Sequence, residues 1–381
     1  MAACRSEKPV ERPMARATRP WVAIGARLCL GLLPGLWMSL PAQASAVRLQ
    51  VIGGFSALHQ FRKQEEPFWR SEINRYSGGR IEADIRPLHQ LGIPGSEMLP
   101  LMKSGVVSFG SILLSLHAGD DPELSAIDLP VLSPDIPTLR KTAAAFRPRL
   151  KQILEQRYNI ELLGLYILPA QVIFCKKPFS GLGDLKGRRI RTSSVGQSEA
   201  VEALGAMPVK TTFAEIVPSV TRGVVDCAIT GTMSGNEIGL AGATTHMHSL
   251  AITWGVSAFG ANRTAWDRLP SDIRGILTRE VARFEERIWE AAHAETLNGI
   301  ACNIGSSACS DGVPLRLTQV PHSEADEILR QRLLREVVLP LWVERCGSSC
   351  IEIWNQTIAP QHGLFITNDR RTMERQSGTQ P

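Results

Sequence analysis

The sequence predicts an α/β chain made of two units, each with its own core, and three observations lead there. Two segments repeat the order strand, helix, strand, helix, strand. Two strand-like stretches stand between and after these segments, placed to cross from one unit to the other. One long amphipathic helix follows them, long enough to brace both units.

In the first segment "VRLQVIG" alternates Val47, Leu49 and Val51, the period-two signature of a strand. "FRKQEEPFWRSEINRYSGG" has helical spacing and stops at Gly78-Gly79, and "RIEADIRP" alternates again. "GSEMLPLMKSG" reads as a short helix and "VVSFGSILL" as a continuous apolar strand. The second segment keeps the order. "RRIRTSS" is a strand, and Ser194 with Gln197 forms a capping-box pattern that opens a helix ending at Gly205. "MPVKTT" follows as a strand. Thr212 with Glu215 caps the next helix, which ends at Gly223 and is expected to kink at Pro218, and "VVDCAIT" is the last strand. "ELLGLYILPAQVIFC" and "LAITWGVSAFGAN" are the crossing stretches, and the bracing helix runs from about Ser271 to Asn298. The polar tail after Phe365 is expected to be disordered.

Residues 1–44 read as an export signal. A basic stretch precedes "WVAIGARLCLGLLPGLWMSL", and "PAQASA" offers small-x-small cleavage sites. A membrane anchor is the competing reading, weakened by Arg27 and Pro34 within the apolar run. Met14 is an alternative start. Without the leader, 42 Lys/Arg against 37 Asp/Glu become 36 against 35. The basic balance therefore belongs to the leader, and nucleic acid is not an expected partner.

Of eight cysteines, six follow the leader. In an exported chain "CNIGSSAC" and "CGSSC" read as short-loop disulfides, Cys302–Cys309 and Cys346–Cys350. The rival is one zinc site shared by the two pairs, although their spacings fit zinc ribbons poorly. Cys175 and Cys227, in apolar strands, are expected to be buried free thiols.

Catalytic motifs are scarce. "GLGDLKG" has the wrong spacing for dinucleotide binding, and "GTMSGNEIG" lacks the lysine of a phosphate loop. No G-x-S-x-G elbow or H-E-x-x-H helix occurs. His246 and His248 are expected to be structural or exposed, and Asp120-Asp121 to form a solvated turn and helix cap. No cofactor, metal or enzymatic activity is expected. The alternative is an exported enzyme on the same scaffold, with Glu215 and Asp226 as scattered acid/base groups.

"GRRIRTSS" places Arg188, Arg189 and Arg191 at one strand. Alternation puts Arg189 and Arg191 on the face opposite to Arg188 and Ile190, so the three form no single cluster. The run "GLGDLKGRRIRTSS … VEALGAMPVKTTFAEIVPSVTRGVVDCAI" resembles the solute-binding receptors of tripartite ATP-independent periplasmic (TRAP) transporters. "YSGGRIEADIRPLHQLG", "LMKSGVVSFG", "AIDLPVL" and "ANRTAWDRLPSDIRGIL" fit the same family. The resemblance covers most of the chain after the leader and implies a two-domain periplasmic binding protein fold closing on an organic acid. Domain I is expected over 45–167 and 255–297, domain II over 168–254 and 298–365, with the disordered tail over 366–381.

By the same resemblance Arg191 grips the ligand carboxylate, a task suited to a permanently charged, planar fork. Gln171, where the family strand supplies polar contacts, and Phe213 and Thr230, at strand ends where open α/β sheets bind ligands, are further pocket candidates, and Trp254 either packs on the ligand or fills the hinge. The sequence departs from many acid-binding relatives at Ala170, where they carry a second arginine, and at Thr230, where they carry asparagine. Both departures remove polar contacts and favour a single carboxylate on an apolar or hydroxylated body. The implied function is a monomeric periplasmic receptor that hands its ligand to TRAP permease membrane subunits. A receptor feeding a signalling partner is the other reading.

Overall fold

The computed structural model describes residues 45–367, 369 and 372–374; the expected export signal, residues 1–44, lies outside them. The first lobe is built on β1 (Val47–Gly53), β2 (Ile81–Pro87), β3 (Phe109–Leu113) and β4 (Ile160–Tyr166). The second holds β5 (Gln171–Cys175), β6 (Arg189–Thr192), β7 (Met207–Lys210), β8 (Cys227–Gly231) and β9 (His246–His248). The chain then returns to the first lobe in β10 (Ser257–Asn262) and adds β11 (Thr318–Val320) to the second. Sheet order is β2-β1-β3-β10-β4 in the first lobe and β11-β9-β5-β8-β6-β7 in the second. β1 pairs in parallel with β2 and β3, and β6 with β7 and β8, as the two βαβ readings require. The returning β10 is antiparallel to β3 and β4, and β5 is antiparallel to β8 and β9.

Three segments cross between the lobes. One is Ile167–Ala170, linking β4 to β5, and another is the stretch from β9 to β10. They pair with each other where Gln171 N–H donates to Thr253 C=O at 2.8 Å and Leu168 N–H to Trp254 C=O at 3.1 Å. The third is the helix Ser271–Ile304, longer than expected at its C-terminal end. Trp289 on it donates to Leu165 C=O at 2.9 Å in the first lobe. Seven residues on, Thr296 accepts Ala170 N–H at 3.0 Å, and its carbonyl accepts Thr232 Oγ1–H at 3.1 Å from the second lobe. Gly299 sits against the backbone of Thr232 and Met233, where a Cβ would lie 2.6 Å from the Thr232 carbonyl carbon. Only the missing side chain allows that approach.

The helices after Ser323 touch both lobes. Trp342 donates to Pro122 C=O at 2.8 Å, Thr142 bonds His362 at 2.7 Å, and Arg345 pairs with Glu199. Residues 298–365, expected in domain II, therefore divide their contacts. The expected disordered tail also begins inside structure, because β12 (Leu364–Ile366) pairs with β13 (Thr372–Glu374).

Several local expectations are corrected. Cys175 and Cys227 are not free thiols: they face each other across β5 and β8 and are bonded, alongside Cys302–Cys309 and Cys346–Cys350. Pro218 does not kink a helix. It lies in the first turn of Ile216–Thr221, where N–H groups have no intrahelical partner to lose. Asp121 stands at the N-cap of the short helix Pro122–Asp128, as expected, but it is buried and its carboxylate makes no cap bond, accepting instead from Arg157 at 2.9 Å and Tyr158 at 3.0 Å. His248, by contrast, is structural as expected: buried, receiving Leu250 N–H on Nδ1 and facing Asp326 through Nε2 at 3.3 Å. Among the described residues no cluster of ligating side chains could hold a metal ion.

Candidate functional site

A cleft of about 540 Å³ lies between the lobes at the ends of the strands, where open α/β sheets present their ligand sites. The second lobe contributes Gln171, Arg191, Ser193, Lys210, Phe213, Thr230 and Ser234. The first contributes Phe55, Leu58, Leu88, His89, Ile93, Leu113 and Leu116. Of the five residues singled out from sequence, the cleft brings together Arg191, Gln171, Phe213 and Thr230. Trp254 is the exception. It is buried behind the crossing, donating from its indole to Ser133 C=O at 2.8 Å, while Asp128 accepts its backbone N–H at 2.8 Å. It fills the hinge.

The three arginines of the opening strand have separate fates. Arg188 reaches three backbone carbonyls, those of Asp184, Lys177 and Pro178. Arg189 makes a two-pronged pair with Asp226 at 3.1 and 2.8 Å. Arg191 alone lines the cleft, with 3% of its surface exposed. Nη1 donates to Ile229 C=O at 2.8 Å and Nη2 to Thr211 C=O at 2.9 Å, while Nε has no partner. Burial pulls the guanidinium down to about 10, against the raising effect of the Glu215 carboxylate. At neutral pH it is still charged. Two carbonyl dipoles hold its plane, no carboxylate among the described residues is bonded to it, and much of its donor capacity is unspent.

The groups around it are fixed. Glu215 is committed to Thr212 through a capping box, and its pKa is lowered by the Thr212 hydroxyl and backbone N–H. Asp226 is likewise lowered, first by the Arg189 guanidinium. Both carboxyls thus serve structural bonds in their charged forms, which suits neither to act as a general acid. Gln171 accepts from Gln197 at 3.1 Å, and the same amide nitrogen of Gln197 donates to Thr253 Oγ1 at 2.8 Å. That network ties the pocket wall to the hinge. At the mouth, Phe213 meets Phe55 of the opposite lobe with ring centroids 5.1 Å apart. Such aromatic pairs contribute about 0.5–1.5 kcal/mol beyond area burial.

Sequence reasoning missed the whole first-lobe wall. Leu88 directly follows β2, Leu113 ends β3, and Leu58 and Leu116 lie in the turns beyond β1 and β3, all at strand ends where open α/β sheets bind ligands. The residues carry no motif, so only the topology distinguishes them from core.

Comparison with known proteins gives a consistent picture. The pattern of bacterial extracellular solute-binding protein, family 7, matches residues 58–303. A solute-binding protein of Albidiferax ferrireducens is 25% identical over 267 residues, covering 68% of this chain and 77% of that protein. Among solved structures, a Bordetella pertussis extracytoplasmic solute receptor binding pyroglutamic acid, DctP7, superposes with a TM-score of 0.70 at 22% identity, covering 82% of this chain and 99% of that one. A TRAP periplasmic solute-binding protein from Rhodoferax ferrireducens with bound malonate gives 0.69 at 21% identity, covering 82% and 99%.

Proposed function

This chain belongs to family 7 of the bacterial extracellular solute-binding proteins, and from that premise we propose that it captures a small organic carboxylate for a TRAP-type permease. The observation that carries the reading is Arg191. A buried guanidinium with no carboxylate bonded to it is costly, and a ligand carboxylate supplies a directly bonded charge while taking the unspent N–H donors. Relatives of the same fold bind pyroglutamic acid and malonate, both small carboxylates. Gln171 and Thr230 offer polar contacts beside the guanidinium, and Phe213 closes against Phe55 over the bound acid.

The cycle follows from the hinge. The lobes part about the two crossing strands, the acid enters and docks on the second lobe, and the first lobe closes over it. Closure removes water, which strengthens the charge-assisted bonds to Arg191. The protein works outside the cytoplasm as a monomer, without catalysis, after loss of residues 1–44. An oxidising compartment matches three disulfides.

Calorimetric titration of the mature protein with pyroglutamate and malonate tests the site. Arg191→Ala should weaken binding by roughly thirtyfold or more, since losing a charge-assisted partner in a dry cleft costs about 2–5 kcal/mol. Arg191→Lys should recover only part of the loss, because an ammonium keeps the charge without the fork. Equal affinity in Arg191→Ala would overturn the assignment.

A further inference from the structure

The two walls of the cleft differ in chemistry. Its lysine and arginine, Arg191 and Lys210, both belong to the second lobe. The first-lobe wall is mainly apolar, carried by Leu58, Leu88, Leu113 and Leu116. Those same four leucines also line a second cavity of about 70 Å³ that runs deeper into the first lobe, past Met98 and Ser111. Being shared, they place the deep space directly beside the cleft, as a branch that a tail could enter between them. A volume of that size holds a group equivalent to about two waters, or a short alkyl end.

Glu65 stands in this branch, 2% exposed. Its oxygens accept Gly54 N–H at 2.8 Å and Gln60 Nε2–H at 3.0 Å, and no lysine or arginine lies among the branch residues. Burial pushes its pKa up from the ordinary range. An incoming anion would find there a second acidic group and apolar walls, so a ligand charge at this end is penalised twice.

We propose that the receptor selects monocarboxylates with an apolar tail, the carboxylate on Arg191 and the tail inserted into the leucine-lined branch in front of Glu65. This rests on the receptor reading of the cleft and narrows its substrate class. Dicarboxylates long enough to reach the branch are excluded by the same wall that favours the tail.

The test is titration with butanoate, hexanoate and octanoate beside adipate, which matches hexanoate in length but carries a second carboxylate. Affinity should rise by about fourfold for each methylene that enters the branch. Adipate should bind at least about a hundredfold more weakly than hexanoate. Ser111→Leu, which fills the branch, should flatten the chain-length series. Leu116→Ala, which widens it, should move the best length to a longer acid, so the reading is tested even if one variant fails to fold. Adipate binding within threefold of hexanoate, with both lost in Arg191→Ala, overturns this proposal and leaves the receptor reading standing. Binding by none of these acids, nor by pyroglutamate or malonate, overturns both.

Discussion

Asp128 shows how much a single buried side chain can fix. Its two oxygens accept the backbone N–H groups of Trp254 and Gly255, each at 2.8 Å, and of Val256 at 3.3 Å. Those three residues end the return crossing, so one carboxylate shapes that part of the hinge. Asp128→Asn replaces an acceptor oxygen with an NH₂ that faces a donor. A stability loss of about 2–4 kcal/mol is expected in urea unfolding, and a change below about 0.5 would contradict the role. At this scale the sequence was readable unevenly. Arg191 was legible because strand alternation and a family resemblance agreed on it, Gln171 from the resemblance, and Phe213 and Thr230 from their place at strand ends. Asp128 and Trp254 were not separable from any other buried pair, since their bond joins residues 126 apart.

Among the elements, the antiparallel pair β5 and β8 carries the clearest lesson. Their order in the sheet brings Cys175 opposite Cys227, 52 residues away in sequence. Spacing alone exposes a disulfide only when the loop is short, as at Cys302–Cys309 and Cys346–Cys350. A long-range bridge becomes visible once strand adjacency is known. Thiol counting of the mature chain under denaturing, non-reducing conditions should therefore find no free thiol; two per chain would restore the free-thiol reading. Replacing both Cys175 and Cys227 by alanine should cost up to about 4 kcal/mol, the loop-closure figure for a span of this length. The βαβ order of both lobes was legible because period and capping signals coincided. The split contacts of the helices after Ser323 were not, because an amphipathic face does not name its partner.

Across the whole molecule, a charged clasp joins the lobes away from Arg191. Arg62 pairs with Glu237 at 2.9 Å, Lys63 pairs with Asp311, and His59 stands 3.5 Å from Glu237. Glu295 of the long helix lies in the same field. Burial pushes it up to about 7, the Glu237 carboxylate adds to the rise, and Lys63 and Arg62 oppose it while Asp311 supports it. A folded value above the ordinary 4.5 means that the native state holds the proton more tightly. The stabilisation is complete below about 4.5 and is lost as pH rises through about 7. Glu295→Gln removes this titration. Between pH 5 and pH 8 the wild type should lose about 1–2 kcal/mol relative to the variant in chemical denaturation, and parallel profiles would refute it.

Gly299 allows the long helix to meet the second lobe backbone to backbone, and that contact leaves no clearance. A joint without clearance acts as a bearing surface in one respect: it sets how close the helix and the lobe stand. Adding a methyl group there inserts a shim, tilting one lobe without touching the cleft. Gly299→Ala should then alter ligand affinity at a distance while the composition of the binding walls stays the same. Calorimetry would register a changed affinity that Arg191 does not explain, and an unchanged one would show that the bearing has more play than its geometry implies. On the first outcome this receptor would be tuned from the back, where no ligand arrives.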